Sequence, residues 1–308
     1  MQSWFASAKR LAELAIYRED WTIGVVAQPA ADIVASGITA PVNWLKPPGP
    51  GRILADPACE THPNGARTLY AECLRHSENR GEIWSAEVPA GADPATASFR
   101  PLLAAPTHLS YPFPFRDDDG SRLLTAEMWQ AGALSTWRFG TQGWQPDRVL
   151  LPNRKVVDPT LWRGPDRWWL FCGFEDDLPN EHLHLFHTPR LGRPWTPHAR
   201  NPVRQGRGAA RSAGPVFAAG DLLIRPAQDC ANTYGGAVVL HAIRHLDPDR
   251  FVEEPIRRLD PSPGPYPHGL HTFCPAGDVT LIDGKRLRPD LAGMRYRLRM
   301  RFAAKRFN

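Results

Sequence analysis

Apolar and polar residues follow two different periods along this chain. Over residues 2–18, Trp4, Ala8, Leu11 and Ala15 recur at helical spacing with Phe5, Ala12 and Ile16 beside them, which predicts a helix. After Trp21 the pattern changes to apolar runs of four to six residues, cut at close intervals by Gly, Pro and Asp. That pattern predicts short strands joined by tight turns.

The strand region repeats. A Pro- or Gly-marked entry, a turn, a strand and usually a closing acid recur five times, from Ala55, Ser110, Val157, Arg211 and His268. The anchors of these segments, Asp56, Tyr111, Asp158, Gly214 and His271, are 55, 47, 56 and 57 residues apart. The closing acids are Glu72, Glu127, Glu175, Asp229 and Asp283. A period near 50 with two strands visible per copy predicts an all-β, five-bladed β-propeller of four-stranded blades. A blade cannot bury both faces alone, so blades stack and the ring closes. The competing fold is a β-sandwich in which the spacing is coincidental. The expected divisions are an N-terminal helix over 1–20, the propeller over 21–284 and a basic tail over 285–308.

Composition sharpens this picture. Pro accounts for 32 of 308 residues, about twice its usual share, so long helices are disfavoured and frequent turns are expected. The formal charge of +5 is uneven: residues 285–308 hold nine basic side chains against one acid, and the rest holds 28 against 31. A mildly acidic body lacks the basic stripe that a nucleic-acid groove needs, so no nucleic-acid partner is expected. Five scattered cysteines without a C-x-x-C pair predict free thiols and a cytoplasmic setting. No continuous apolar segment marks a signal peptide or a membrane span. No G-x-G-x-x-G between strand and helix, P-loop or G-x-S-x-G occurs, so a nucleotide-sugar site of Rossmann type is not expected.

In a propeller the inner strands converge on a central funnel, which would bring the entry residues Asp56, His108, Asp158, Arg211 and His271 together. Such carboxylates, imidazoles and a guanidinium would suit a sugar. The densest polar run, RPAQDCANTYGG, adds Arg225, Gln228, Asp229 and Tyr234, where Arg suits an anionic group and Gln and Asp suit hydroxyls. Each candidate also has a purely structural role open to it. Asp before Pro initiates turns, Glu127 can pair with Arg122 or Arg138, and Arg225 with Asp229.

The strings ADP, HLSYPFPF, VVDPTLW, PWTPHARNPV and RPAQDC together resemble the N-terminal β-propeller domain of glucosamine inositolphosphorylceramide transferases, over about residues 20–284. Similar bacterial domains occur alone or beside formyltransferase-like and glycosyltransferase modules. The Asp-Pro entries are more distantly similar to the five-bladed furanosidase clan of arabinanases and invertases. That resemblance implies an Asp base or nucleophile, an orienting Asp and a Glu acid, for which Asp56, Asp158 and Glu127 are the matching positions. Glu127 departs from the clan in ending a second-blade strand. The catalytic set is thus Asp56, Glu127 and Asp158, and the substrate-binding set is His108, Arg211, Arg225, Gln228, Asp229, Tyr234 and His271.

The expected activity is glycosyl transfer in surface-glycan or glycolipid synthesis, with a sugar or glycan in the funnel. The alternatives are a furanoside hydrolase and a non-catalytic sugar-binding or docking module. No cofactor is expected. The clan places a cation near a fifth-blade His, but a hydrogen-bonding role for His271 is the favoured one. His182, His184 and His187 in EHLHLFH offer only two imidazoles on one strand face, so zinc is not expected there. The tail motif MRYRLRMRF alternates Arg with apolar residues and suits an anionic membrane surface or a partner glycosyltransferase. The expected location is cytoplasmic, peripheral to the inner membrane.

Overall fold

The computed structural model describes residues 16–290. It opens with strand β1 (Tyr17–Val26), helix α1 (Ala30–Ser36) and strand β2 (Val42–Trp44). Blade 1 follows as β3 (Arg52–Thr61), β4 (Arg67–Arg75), β5 (Arg80–Val88) and β6 (Arg100–Leu103). Blade 2 is β7 (Ser110–Arg116), β8 (Arg122–Glu127), β9 (Ala133–Gly140) and β10 (Gly143–Pro152). Blade 3 is β11 (Val156–Arg163), β12 (Trp168–Phe174), β13 (His182–Thr188) and β14 (Thr196–Pro197), with β15 (Arg204–Gln205) also on β13. Blade 4 is β16 (Phe217–Ala219), β17 (Leu222–Asp229), β18 (Ala237–Leu246) and β19 (Phe251–Leu259).

The fifth blade is assembled from both ends of the described chain. Its inner strands are β20 (Phe273–Ala276) and β21 (Val279–Pro289), and β1 and β2 complete it in the order β20-β21-β1-β2. The β1–β21 ladder runs unbroken from Tyr17↔Pro289 to Val26↔Thr280. These ten pairs close the ring. The protein is therefore a five-bladed β-propeller, as the repeat implied.

Two expectations need correction at the seam. Tyr17–Asp20, expected in the N-terminal helix, are strand, because their backbone groups pair with Arg286–Pro289. Residues 1–15 of that expected helix lie outside the described residues. Lys285–Pro289, expected in the basic tail, are likewise strand, and the MRYRLRMRF segment lies outside the described residues. The short helix α1 was not expected; its Ala30 and Ile33 pack into the core between blades 4 and 5.

Strand alternation explains the packing. Successive side chains point to opposite faces, so each blade feeds two neighbouring cores. Trp168 and Leu170 enter the core with blade 2, and Trp169 and Phe171 enter the core with blade 4. Equivalent cores join blades 1 and 2 around Tyr70, Ile83 and Leu124, and blades 5 and 1 around Ile23, Leu69 and Leu281. Each large side chain buried in this way contributes roughly 1.5–3 kcal/mol.

The inner strands carry one shared irregularity. Asp56, Tyr111 and Asp158 all precede proline and have positive φ angles of 51°, 47° and 47°. Each sits at a break in register with the second strand, between Ala55 and Ala58, Ser110 and Phe113, and Val157 and Thr160. These are β-bulges, which turn a residue out of the ladder and re-aim its side chain and N–H. Gly214, also before proline, is the fourth-blade counterpart with φ 134°. A Cβ there would lie 2.1 Å from the Phe273 carbonyl oxygen, so only glycine fits.

Tyr111 links three blades through its bulge. Its buried hydroxyl accepts from the Gly214 N–H at 2.8 Å and lies 2.8 Å from Thr160 Oγ1. Tyr111→Phe leaves buried polar groups unpaired and is expected to cost about 2–3 kcal/mol. Urea denaturation checks this, with a lowered midpoint at unchanged slope as the expected result.

Candidate functional site

A cavity of about 570 Å³ opens at the centre of the ring. It is lined by acids and bases from several blades, including Asp56, Glu72, His108, Glu127, Asp158, Arg211 and His271. The bulges explain how residues so far apart in sequence meet there. Each turned-out N–H is accepted by an acid of the site: Tyr111 donates to Asp56 Oδ2 at 3.0 Å, Asp158 to Glu127 Oε2 at 3.0 Å, and Asp56 to Asp283 Oδ2 at 3.2 Å. In the fifth blade, which lacks the Pro, His271 and Thr272 both donate their N–H to Asp283 Oδ1, at 2.9 and 3.0 Å.

Two cations, His271 and Arg211, and the His108 imidazole sit between these acids. His271 lies with Nδ1 2.6 Å from Asp283 Oδ2 and Nε2 3.3 Å from Asp56 Oδ1. Arg211 places Nε 2.6 Å from Asp158 Oδ2 and Nη2 3.8 Å from Glu127 Oε2, and its Nη1 donates to Asn180. His108 faces Glu72 at 3.2 Å and accepts the Gly81 N–H on Nδ1. Trp21 stacks on His271 with ring centroids 4.0 Å apart, and Tyr234 meets both rings edge-on. The Arg211 guanidinium covers the Tyr234 ring at 5.1 Å. Gly235, with φ 56°, lets these rings close up, since a Cβ would lie 2.7 Å from His271 Cβ and 2.8 Å from Trp21.

Burial sets the protonation of the acids. It pushes the Asp56 carboxyl up to about 7; His271 opposes this, while Glu72, Asp158 and Asp283 add to it. Burial, reinforced by Asp158 and opposed by Arg211, also raises Glu127 well above the usual carboxylate range. Burial alone would lower His271, but Asp283 and Asp56 outweigh it and hold the imidazole at about 9. Asp283 is lowered, because His271 and the backbone N–H groups outweigh its burial. Arg211 is kept charged against burial by Asp158 and Glu127. The site thus holds carboxyls able to carry a proton near neutrality beside fixed cations, the provision that acid–base chemistry requires.

Most of the residues singled out from the sequence converge here. Asp56, Glu127, Asp158, His108, Arg211, Tyr234 and His271 all line the cavity. Gln228 is buried behind it and donates to Asp158 Oδ2 at 3.2 Å and to the Ser212 carbonyl at 2.9 Å, so it positions the acid. Two residues lie elsewhere. Arg225 is fully buried away from the funnel, where Nε and Nη2 donate to Glu253 at 2.7 and 2.6 Å. Asp229 is held by Arg258, not by Arg225, and caps the Ala231 N–H. Strand alternation is the reason: in β17, Arg225 and Asp229 share one face and Gln228 takes the other.

Sequence reasoning missed Trp21, Asp283 and Lys285. Asp283 was visible as the fifth closing acid. Trp21 reaches the site only through ring closure by β1. Lys285, counted with the tail, is buried; its Nζ donates to the Tyr234 carbonyl at 2.6 Å and lies 5.1 Å from the Trp21 ring centre.

Fold and site define a five-bladed propeller whose central funnel is built from bulge-presented acids and intercalated cations. The chain belongs to the family described as Glucosamine inositolphosphorylceramide transferase 1, N-terminal, whose model matches residues 70–260. It is 29% identical over 164 residues to Glucosamine inositolphosphorylceramide transferase 1 of Oryza sativa subsp. japonica, covering 48% of this chain and 21% of that protein. The protein of the same name from Arabidopsis thaliana is 27% identical over 216 residues, covering 66% of this chain and 27% of its own length. The chain therefore spans about a quarter of these curated relatives. Among solved structures, the exo-β-1,3-galactanase 1,3Gal43A from Clostridium thermocellum shares the fold, with a TM-score of 0.53 at 9% identity over 75% of this chain and 59% of its own.

The charge of His271 makes stability depend on pH. The folded state keeps to about 9 a proton that an unfolded chain releases near 6.5, so this contribution is complete below about 6.5 and lost as pH rises through 9. Asp56 acts in the same direction at lower pH, between about 3.8 and 7. The denaturation midpoint should therefore fall between pH 6.5 and 9, and His271→Gln should flatten that fall.

Proposed function

We propose that this propeller binds a sugar in its central funnel and takes part in glycosyl transfer, with Asp56 moving the proton of a reacting hydroxyl. The observation that carries this reading is the meeting, in one cavity, of Asp56 with its raised pKa, the Arg211-bound pair Glu127 and Asp158, and the aromatic rings of Trp21 and Tyr234. Carboxylates accept hydrogen bonds from sugar hydroxyls, and the packed rings hold Arg211 and His271 in place beside them. Arg211 and Gln228 fix Asp158, so its oxygens are oriented before the substrate arrives. His271 holds Asp56 from the other side and sets how readily it gives up its proton.

The names of the relatives support a glycosyl-transfer setting, in which glucosamine is the transferred sugar and an inositol-containing sphingolipid the acceptor. Work on a lipid acceptor would take place at a membrane surface on the cytoplasmic side, and the basic segment after Asp290 suits that location. A second reading, glycoside hydrolysis, is favoured by one observation: Glu127 and Asp56 are both pushed toward the protonated form while Arg211 pairs with Asp158. That division into acid and base is what glycosidases employ.

Product formation with an activated glucosamine donor and an inositol-phosphate lipid acceptor tests the first reading by mass spectrometry. Asp56→Asn and Asp158→Asn should each lower turnover by about 100-fold or more, the scale of one lost acid–base group. Full turnover in both variants overturns the proposal. Free sugar released from chromogenic furanosides would support hydrolysis. Saturable sugar binding without any turnover would make the funnel a binding module.

A further inference from the structure

A second cavity is larger than the funnel. It measures about 870 Å³ and lies on the flank of blade 3, against β10 of blade 2. Phe174 and Trp195 give it apolar walls, and Asp177 and His184 open into it. His182 and His184 stand on one face of β13, as residues two apart on a strand must. The fold adds what the sequence does not: Asp177, in the connection between β12 and β13, bends back over both rings. Its Oδ1 lies 3.0 Å from His182 Nδ1 and its Oδ2 2.8 Å from His184 Nε2. The three donor atoms lie within 4.8 Å of one another.

We propose that His182, His184 and Asp177 form a binding site for a divalent transition-metal ion, with zinc the best match. Metal–nitrogen and metal–oxygen bonds to zinc are about 2.0–2.2 Å, so neighbouring ligand atoms in one shell lie about 3 Å apart. The two imidazole–carboxylate separations, each to its own oxygen of Asp177, already have that value. Two imidazoles with one carboxylate select zinc, copper or nickel over calcium and magnesium, which take oxygen ligands. Three protein ligands leave the remaining position facing the cavity, the pattern of an open site rather than a closed structural one.

Phe174 packs on the His184 ring at 4.7 Å and fixes its orientation. Arg154, 5.1 Å from the Phe174 ring centre and lining the same cavity, is the cation the ion must tolerate. The site shares no residue with the funnel and does not depend on the function proposed above.

Titration of the tag-free, chelator-treated full chain with Zn²⁺ by calorimetry tests the site. The expected result is binding of one ion by the cluster and a raised melting temperature. His182→Ala and Asp177→Asn should each weaken that binding by roughly 100-fold or more, since loss even of outer partners of a metal costs 10–100-fold. His187→Ala, on the opposite face of β13, should leave it unchanged. Cu²⁺ in the same site should show coupling to two imidazole nitrogens in its magnetic resonance spectrum, reduced to one in His182→Ala. Should His184→Ala fail to fold, the half-exposed His182 and Asp177 variants decide the question. Unchanged zinc binding in both, absence of saturable binding in the native chain, or a copper spectrum without two nitrogens overturns the site and leaves an ordinary hydrogen-bonded brace.

Discussion

The structure rests on a backbone constraint repeated at the entry of the inner strands. A residue before proline stands out of the ladder, at positive φ in Asp56, Tyr111 and Asp158, and its N–H is turned toward an acid of the funnel. Such a conformation costs of order 1–3 kcal/mol for a residue other than glycine. The hydrogen bond it gains, strongest where the receiving acid is ionised as at Asp283, offsets that cost only while that acid is in place. Each acid therefore has two duties. Glu127 of blade 2 fixes the entry of blade 3, and Asp283 of blade 5 fixes the entry of blade 1, while Glu127 also lines the cavity. Ring geometry and site geometry are one set of contacts.

Concentrating acids in a buried funnel requires cations in the same volume, because an unpaired buried charge is expensive. The cations are intercalated between blades and not stacked within one. Arg211 bridges acids of blades 2 and 3, and His271 bridges acids of blades 1 and 5. Repulsion and burial not cancelled by these cations appear as the raised pKa values of Asp56 and Glu127. A wall built this way carries protons near neutrality without any special acid, since the shortage of compensating positive charge is enough to hold them.

The ring was legible in the sequence because its signal is local and repeated. Pro after the bulge and an acid closing the second strand recur in most copies, and the anchors Asp56, Tyr111, Asp158, Gly214 and His271 all fall at inner-strand entries. What failed was reasoning by proximity in sequence. Arg225, Gln228 and Asp229 form one polar run, yet a strand sends neighbours to opposite faces, so Gln228 reaches Asp158 while Arg225 is sealed against Glu253. The apolar spacing of residues 2–18 reads as helical, but Tyr17–Asp20 are claimed by ten-pair pairing with β21, a tertiary demand that no local period announces. Asp177 over His182 and His184 was illegible for the same reason: it depends on how the β12–β13 connection folds back.

Ring closure also decides when the funnel is finished. Trp21 lies on β1, and His271, Asp283 and Lys285 lie at the other end of the described chain. Only the β1–β21 ladder brings the Trp21 ring onto His271 and places Glu19 3.3 Å from the buried Lys285 ammonium. Before closure Lys285 would lack that acid and its Trp21 cover, and Asp56 would lack both the aromatic cover and the imidazole held beneath it. Pairing of segments some 260 residues apart is entropically the slowest contact to form. The part of the molecule most dependent on that pairing is the one wall of the funnel that carries His271. Blades 1 to 4 can set Glu127, Asp158 and Arg211 by contacts between neighbours, but the other half of the site, Asp56 with His271 and Asp283, exists only in the closed ring.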